Sequence, residues 1–323
     1  MTASDAMSGR DAFGQALLDL ADAHPAMVVL DADVATSTKT LAFGRRHPER
    51  FFNVGVAEAN MAGIAGGLAT CGLRPVVSTF ALFLVKKATD QIRNVACYNR
   101  LPVVFAGGYG GLSDSYDGAS HQSVADLAIM RALPNMTVVV PGDPTEVRPA
   151  LEQALGRSGP TYLRLGRNPS PVLFADAPPL PTGQIRHLRA GPDLTIAVCG
   201  IPTHLAIQAA DALAAGGIGV DLLEVPTLKP LDHEALAASA RKTGAVLTVE
   251  EHSVIGGLGG AVAESLARRA PVPMDFAGLP DCFAESGDYL PLLAKYGISV
   301  DEIVAKARRL LAAKPSRLFT RAT

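Results

Sequence analysis

Glu58 stands in NVGVAEANMAG, directly after a short apolar run and among apolar or small residues. A carboxyl so placed is poorly hydrated, which favours its protonated form and makes it a candidate for proton exchange near neutral pH. In the first turn of a helix the same residue also complements the helix dipole without doing any chemistry. Further along, DGASHQ puts Asp117 and His121 where a glycine-rich loop enters a helix. Ligands bind at loops on the carboxyl ends of parallel strands, so this pair reads either as substrate-facing or as a helix cap with a surface histidine. STFALF carries Phe80 and Phe83, an aromatic pair suited to a core or to packing on a flat ring. Arg10, Arg164 and Arg167 are candidates to clamp a phosphate through forked hydrogen bonds, or to make surface ion pairs.

Other chemistries lack their residues. No lysine follows a glycine, so the phosphate-binding P-loop is absent. GxSxG does not occur, and His233-Glu234 has no second histidine to complete HExxH. GGLGGAV (256–262) lacks the full GxGxxG spacing and reads as a tight strand-to-helix turn. Cys71, Cys97, Cys199 and Cys282 lie far apart without a CxxC pair, which argues against a zinc site or a disulfide framework. The chain of 323 residues carries a formal net charge of −2 and no run of five like charges, so nucleic acid is not expected as a partner. With 48% apolar residues, yet no apolar run long enough to span a bilayer and no apolar leader, a cytoplasmic globular protein without a membrane partner is expected.

The elements that must position these residues alternate. MVVLDAD from Met27, FFNV (51–54), PVVST (75–79), PVVFA (102–106), MTVVV (136–140) and YLRL (162–165) read as buried strands, with helical stretches between them. Ser8 is placed to cap the first helix, Gly72 to end the helix that follows Glu58, and a further helix is expected from about Gln122. Asp143, Pro144 and Glu146 form an N-terminal helix signature. A proline-rich stretch then suits an extended connection. Alternation resumes with LTIAV (194–198), VDLLEV (220–225), AVLTVEE (245–251) and VPMDF (272–276). Two consecutive α/β domains with mostly parallel sheets are therefore expected, over 1–168 and 192–323, joined by a linker over 169–191.

Taken together, NVGVAEANMAGIAGGLA, STFALF, DQIRN, DGASHQ, LAIMRALPNMTVVVP, YLRLGR, EEHSVIGGLGGAVAE and ESGDYLPLLAKYG resemble, in order, the C-terminal half of transketolase, and above all its split, two-subunit form. The resemblance implies a pyrimidine-binding domain of the thiamine diphosphate enzymes followed by the transketolase C-terminal domain. It places Glu58 at the ring nitrogen of the cofactor's aminopyrimidine and Phe83, with Phe80, as the aromatic wall beside that ring. His121 and Asp117 match the residues that contact the sugar, His121 stabilising the developing alkoxide, and Arg10, Ser37 and Arg167 match the set that grips a phosphate. One departure is Tyr109, which stands where the family commonly has a phosphate-facing histidine.

The implied reaction is transfer of a two-carbon glycolaldehyde unit from a ketose to an aldose, phosphorylated or not, through the cofactor's ylid. The family holds the diphosphate and its Mg²⁺, or another divalent cation, on a domain carrying GDG and a later asparagine, and no GDG occurs here. The resemblance thus implies an N-terminal partner subunit supplying that motif, no metal ligands on this chain, and a second copy of the pair in a heterotetramer. The alternatives are a 2-oxo acid dehydrogenase β subunit, a deoxyxylulose phosphate synthase-like chain, or a noncatalytic regulatory subunit.

Overall fold

The computed structural model describes residues 6–175 and 177–314. Unbroken apolar runs form the central strands, because a parallel sheet is covered by helices on both faces. The first part of the chain supplies β1 (Ala6–Ser8), β2 (Met27–Asp31), β3 (Phe51–Asn53), β4 (Arg74–Phe80), β5 (Val104–Gly108), β6 (Thr137–Val139), β7 (Thr161–Arg164) and β8 (Pro169–Pro171). The second part supplies β9 (Arg186–Arg189), β10 (Leu194–Val198), β11 (Val220–Glu224), β12 (Thr227–Lys229), β13 (Val246–Ser253) and β14 (Met274–Leu279). One sheet has the order β12-β6-β7-β5-β4-β2-β3 and the other β14-β13-β10-β11-β9. Both are parallel except at β12 and β9, their antiparallel edges, while β1 and β8 make a separate antiparallel pair. The α/β architecture agrees with the sequence pattern.

Local signals fix the helix ends. Ser8 Oγ accepts from the Asp11 N–H at 3.1 Å and caps the helix Gly9–Leu20. The helix Glu58–Thr70 stops where Gly72 adopts φ +89°, with its N–H donating to the Ala69 carbonyl. Asp143 accepts from the Thr145 and Glu146 N–H groups, and Glu146 reaches back to the Gly142 N–H at 2.9 Å. That first turn is 3₁₀ and the α-helix proper is Val147–Gly156.

Three features depart from the sequence pattern. The helix expected from Gln122 begins at Asp126. Gln122 spends its side-chain amide on the Glu285 carbonyl at 3.0 Å, and the Ser123 carbonyl accepts from Arg164, so neither is free to open a helix. The stretch read as a linker is not without structure. β8 pairs with β1, β9 edges the second sheet, and Thr182 is tied to Gln153 through both its N–H and its hydroxyl. Finally, β12 lies in the second part of the chain but extends the first sheet by pairing with β6. Beside it Lys229 donates to the Arg131 carbonyl at 2.9 Å, at the C-terminal end of the helix Asp126–Ala132, where a cation is favoured. Accordingly Leu30, Phe105 and Val138 share one apolar core with Ala197, Leu223 and Leu258.

GGLGGAV is the strand-to-helix turn expected. Glu250 accepts from the Leu258 and Gly259 N–H groups at 2.6 and 2.7 Å. A carboxylate of the chain therefore fills the helix N-terminus where a dinucleotide's phosphates would sit. Among the described residues no helix is long and apolar enough to cross a membrane.

Candidate active site

Glu58 opens its helix just past the carboxyl end of β3 and is 3% exposed. Its surroundings are not purely apolar as the sequence suggested: Lys87 Nζ lies 3.0 Å from Oε1. The second carboxyl oxygen makes no hydrogen bond among the described residues. Lys87 also stands 4.3 Å from the centre of the Phe83 ring, a cation–π distance. Phe83 meets His121 edge-on at 5.1 Å and stacks on Phe80 at 5.6 Å, and Phe80 in turn stacks on Tyr109 at 4.1 Å. Phe80 ends β4 and Tyr109 follows β5 directly, so these aromatic groups gather at the carboxyl ends of adjacent parallel strands. Phe80, Phe83 and His121 are half-buried, which leaves ring surface open.

The arginines are divided. Arg10 donates to the Tyr109 hydroxyl and, at 3.3 Å, to the Ser37 carbonyl. The guanidinium groups of Arg10 and Arg167 flank the Tyr109 ring, at 5.2 and 5.3 Å from its centre. Ser37 belongs to a turn built on Asp31, which accepts from the Val34 N–H and from the Thr38 and Thr40 hydroxyls at 2.7–2.8 Å. Burial pushes the Asp31 carboxyl up against those bonds. Arg167 donates to buried Asp114 at 2.6 Å, the ion-pair alternative of the sequence reading. Burial, then the neighbouring Asp117 charge, pushes the Asp114 carboxyl up, and Arg167 opposes them. Asp117 itself is exposed on the loop. Arg164 falls out of any phosphate clamp: it is buried and forked onto Asp126.

The structure thus links Glu58, Phe80, Phe83, His121, Arg10, Ser37 and Arg167 through a chain of contacts that also includes Lys87 and Asp114, neither of which the sequence reading named. Lys87 was within reach, since it follows Phe83 by one helical turn on the same face. Nothing local marks Asp114. A cavity of about 650 Å³ lined by Glu146, Phe174, Pro178 and Arg186 lies apart from these residues. Among the described residues no cluster of three or more His, Cys, Asp or Glu side chains is arranged to hold a metal ion.

Residues 5–171 match the family model "Transketolase, pyrimidine binding domain" and residues 183–303 match "Transketolase, C-terminal domain". The chain belongs to the transketolase family. It is 41% identical to the 6-deoxy-6-sulfo-D-fructose transketolase subunit SqwH of Clostridium sp. (strain MSTE9), over 95% of this chain and 96% of that one. The putative transketolase C-terminal section of Methanocaldococcus jannaschii is 38% identical, with 92% and 94% covered. The 1-deoxy-D-xylulose-5-phosphate synthase of Desulforudis audaxviator is also 38% identical, but this chain spans only 49% of it. Among solved structures, a split-gene transketolase described as an inactive β4 tetramer superposes with a TM-score of 0.88 at 45% identity, over 95% of this chain and 99% of that one. Transketolase from Leishmania mexicana gives 0.80 at 27% identity, with 98% of this chain matched to 47% of that one. The transketolase family is a thiamine diphosphate family, and the chain resembles split-gene members over nearly their whole length.

Proposed function

We propose that this chain is one subunit of a transketolase that moves a two-carbon glycolaldehyde unit from a ketose to an aldose. The observation that carries the reading is the convergence of Glu58, Phe83 and His121, linked through Lys87, at the carboxyl ends of β3 and β4 and beside the loop after β5. The residues fit an aminopyrimidine: a buried carboxyl with one uncommitted oxygen for a ring nitrogen, and half-exposed aromatic rings to pack on. When bound, thiamine diphosphate supplies a ring C–H whose loss creates a carbon nucleophile. Glu58 holds or accepts a proton at the pyrimidine, with Lys87 keeping its carboxylate oriented. Phe80 and Phe83 exclude water from that edge. His121 and Asp117 face the sugar's oxygens, and His121 steadies the oxygen on which negative charge develops.

The diphosphate and its divalent cation are assigned to a partner subunit, in keeping with relatives that are themselves separate subunits or sections. A second copy of the pair completes an α₂β₂ assembly. Arg10 and Arg167, on either side of Tyr109, suit an anionic group at the far end of the sugar. The sulfofructose named for the Clostridium relative makes a sulfonate a candidate beside phosphate. The free cysteines suit a reducing, cytoplasmic setting.

The test combines this chain with a GDG-bearing partner, Mg²⁺ and thiamine diphosphate, and measures ketose-dependent extension of an aldose without any lipoyl carrier. Sugar phosphates and sulfo-sugars are compared by kcat/KM. Calorimetry of the isolated chain should show little affinity for the cofactor. Decarboxylation of pyruvate with addition to an aldehyde would instead assign the synthase chemistry. Tight metal-dependent cofactor binding by the isolated chain would refute the shared site.

A further inference from the structure

The loop between β5 and the helix Asp126–Ala132 carries Tyr109, Asp114, Asp117 and His121, and its base rests on a carboxyl from the other half of the chain. Glu251 on β13 accepts from the Leu112 N–H through Oε1 at 2.7 Å and from the Tyr289 hydroxyl through Oε2 at 2.8 Å. The approach is close enough to dictate the neighbouring residue. Gly111 has φ +69°, and a side-chain carbon there would lie 2.6 Å from the Glu251 carboxyl. The Leu112 side chain packs with Leu279, Leu292, Leu293 and Ile298, so both its backbone and its side chain are fixed by the second half. Around this contact the loop is tied again, by Gly287 N–H to the Ser115 carbonyl at 3.0 Å and by Ser253 N–H to the Val124 carbonyl at 2.9 Å.

We infer that Glu251 is a positioning residue whose charge state sets how firmly the loop carrying Tyr109, Asp117 and His121 is held against the site. An ionised carboxylate accepts both bonds with charge assistance. Once protonated, it must place a hydrogen on one oxygen, so either the Tyr289 hydroxyl reverses its role or the Leu112 N–H loses its acceptor. The groups facing Glu251 are Arg164 from β7, which favours the charge, Asp126, which opposes it, and the Tyr289 hydroxyl. Its strand neighbours Glu250 and His252 point to the opposite face. Burial, only partly offset by Arg164, Tyr289 and Leu112, pushes the Glu251 carboxyl up to about 7, so the change of state falls in the physiological range. The desolvation cost of the charge outweighs that assistance: an opening that lets water reach the Leu112 N–H also hydrates the carboxyl beside it and lowers its pKa, so by linkage the loop is held more firmly while Glu251 keeps its proton.

The role assigned to the loop's residues rests on the transketolase reading, whereas the loop's attachment does not, and the experiment separates the two. Hydrogen–deuterium exchange of the Leu112 amide is followed in the full chain from pH 5.5 to 8.5, corrected for intrinsic exchange, in the wild type, Glu251→Gln and Tyr289→Phe. Protection in the wild type should fall by roughly tenfold from pH 5.5 to about pH 7 and level off above it, because opening hydrates the Glu251 carboxyl and returns it toward its ordinary range. Glu251→Gln should be flat. Tyr289→Phe should show the same fall, levelling off at higher pH. Comparison with Glu251→Gln cancels the contribution of Asp114, whose carboxyl burial also pushes up. An equal fall in the wild type and in Glu251→Gln, or an unmoved levelling-off in Tyr289→Phe should the glutamine variant not fold, overturns the inference. In the assembled enzyme, the kcat/KM inflection near pH 7 should vanish in Glu251→Gln. A chain that shows the exchange profile but no sugar transfer with any partner would sink the functional reading and leave the positioning role standing.

Discussion

Replacing Arg164 with methionine should be among the most damaging single changes outside the site itself. Its Nε lies 2.8 Å from Asp126 Oδ2, and the two side chains are 6% and 0% exposed. Nη2 adds Asp126 Oδ1 at 3.1 Å and the carbonyls of Ser123 and Glu251, each at 3.0 Å. Burial would push the Asp126 carboxyl up, yet Arg164, His252 and the Tyr162 hydroxyl hold it below the ordinary carboxylate range. Methionine fills the volume of the stem and removes the charge. Asp126 then keeps only the Tyr162 hydroxyl, at 2.6 Å, and two buried carbonyls lose their donor. Breaking a buried ion pair from one side costs about 3–5 kcal/mol, or on the order of 4–7 °C in Tm for a chain of this length. The pH dependence changes sign. In the wild type the folded Asp126 pKa lies below its unfolded value, so its contribution is present above that value and lost as pH falls. In Arg164→Met burial is opposed only by His252 and the Tyr162 hydroxyl, the folded pKa rises above the unfolded one, and the deficit is smaller at pH 5 than at pH 8. Urea unfolding at several pH values measures both effects, and adding Asp126→Asn should recover part of the loss. A cost below about 1 kcal/mol, or a deficit independent of pH, would refute this account of the pair.

Glu58→Gln should leave the thermal transition within a few degrees of wild type and largely abolish proton–deuterium exchange at the cofactor's reactive ring carbon in the assembled enzyme; wild-type exchange would remove Glu58 from the mechanism. Arg167→Ala should raise KM for an anionic sugar by roughly 10- to 100-fold, a charged hydrogen bond being worth about 1.5–3 kcal/mol, and affect glycolaldehyde much less. Equal losses for both substrates would make Arg167 a structural anchor for Asp114. Because the folded Glu251 carboxyl sits at about 7 against an ordinary 4.5, the folded chain keeps a proton that the unfolded chain has released. Stability should therefore decline by about 3 kcal/mol as pH rises between those values, and Glu251→Gln should flatten that slope.

What was legible in the sequence was whatever local pattern encodes. The apolar runs at Met27–Asp31, Val104–Gly108 and Leu194–Val198 announce buried strands, and Ser8 and Gly72 announce helix ends, because one segment holds the whole signal. Glu58, Phe83 and His121 could be named as candidates because each lies in a contiguous motif, and the fold brings them into contact through Lys87. β9 was not, since RHLR is an edge strand with charged residues and no apolar run. Glu251 and Leu112 are separated by 139 residues, and Arg164 and Asp126 by 38, so only the folded chain brings those partners together. The late start of the helix at Asp126 has the same origin, since Gln122 bonds to Glu285, 163 residues away.

The strand β12 constrains how the gene can be cut. It closes the β6 edge of the first sheet with residues from beyond the proline-rich stretch, and Lys229 beside it pins the end of a helix in the first half. A recombination or truncation point placed between the two halves would leave an open, apolar strand edge on one product and an unseated ribbon on the other. Separately expressed halves are therefore prone to pair edge to edge with copies of themselves rather than reassemble, and an exchange between relatives that swaps only one half must carry a matching partner for β6. The two halves are joined by one sheet edge and one apolar core, even though each matches a family model of its own.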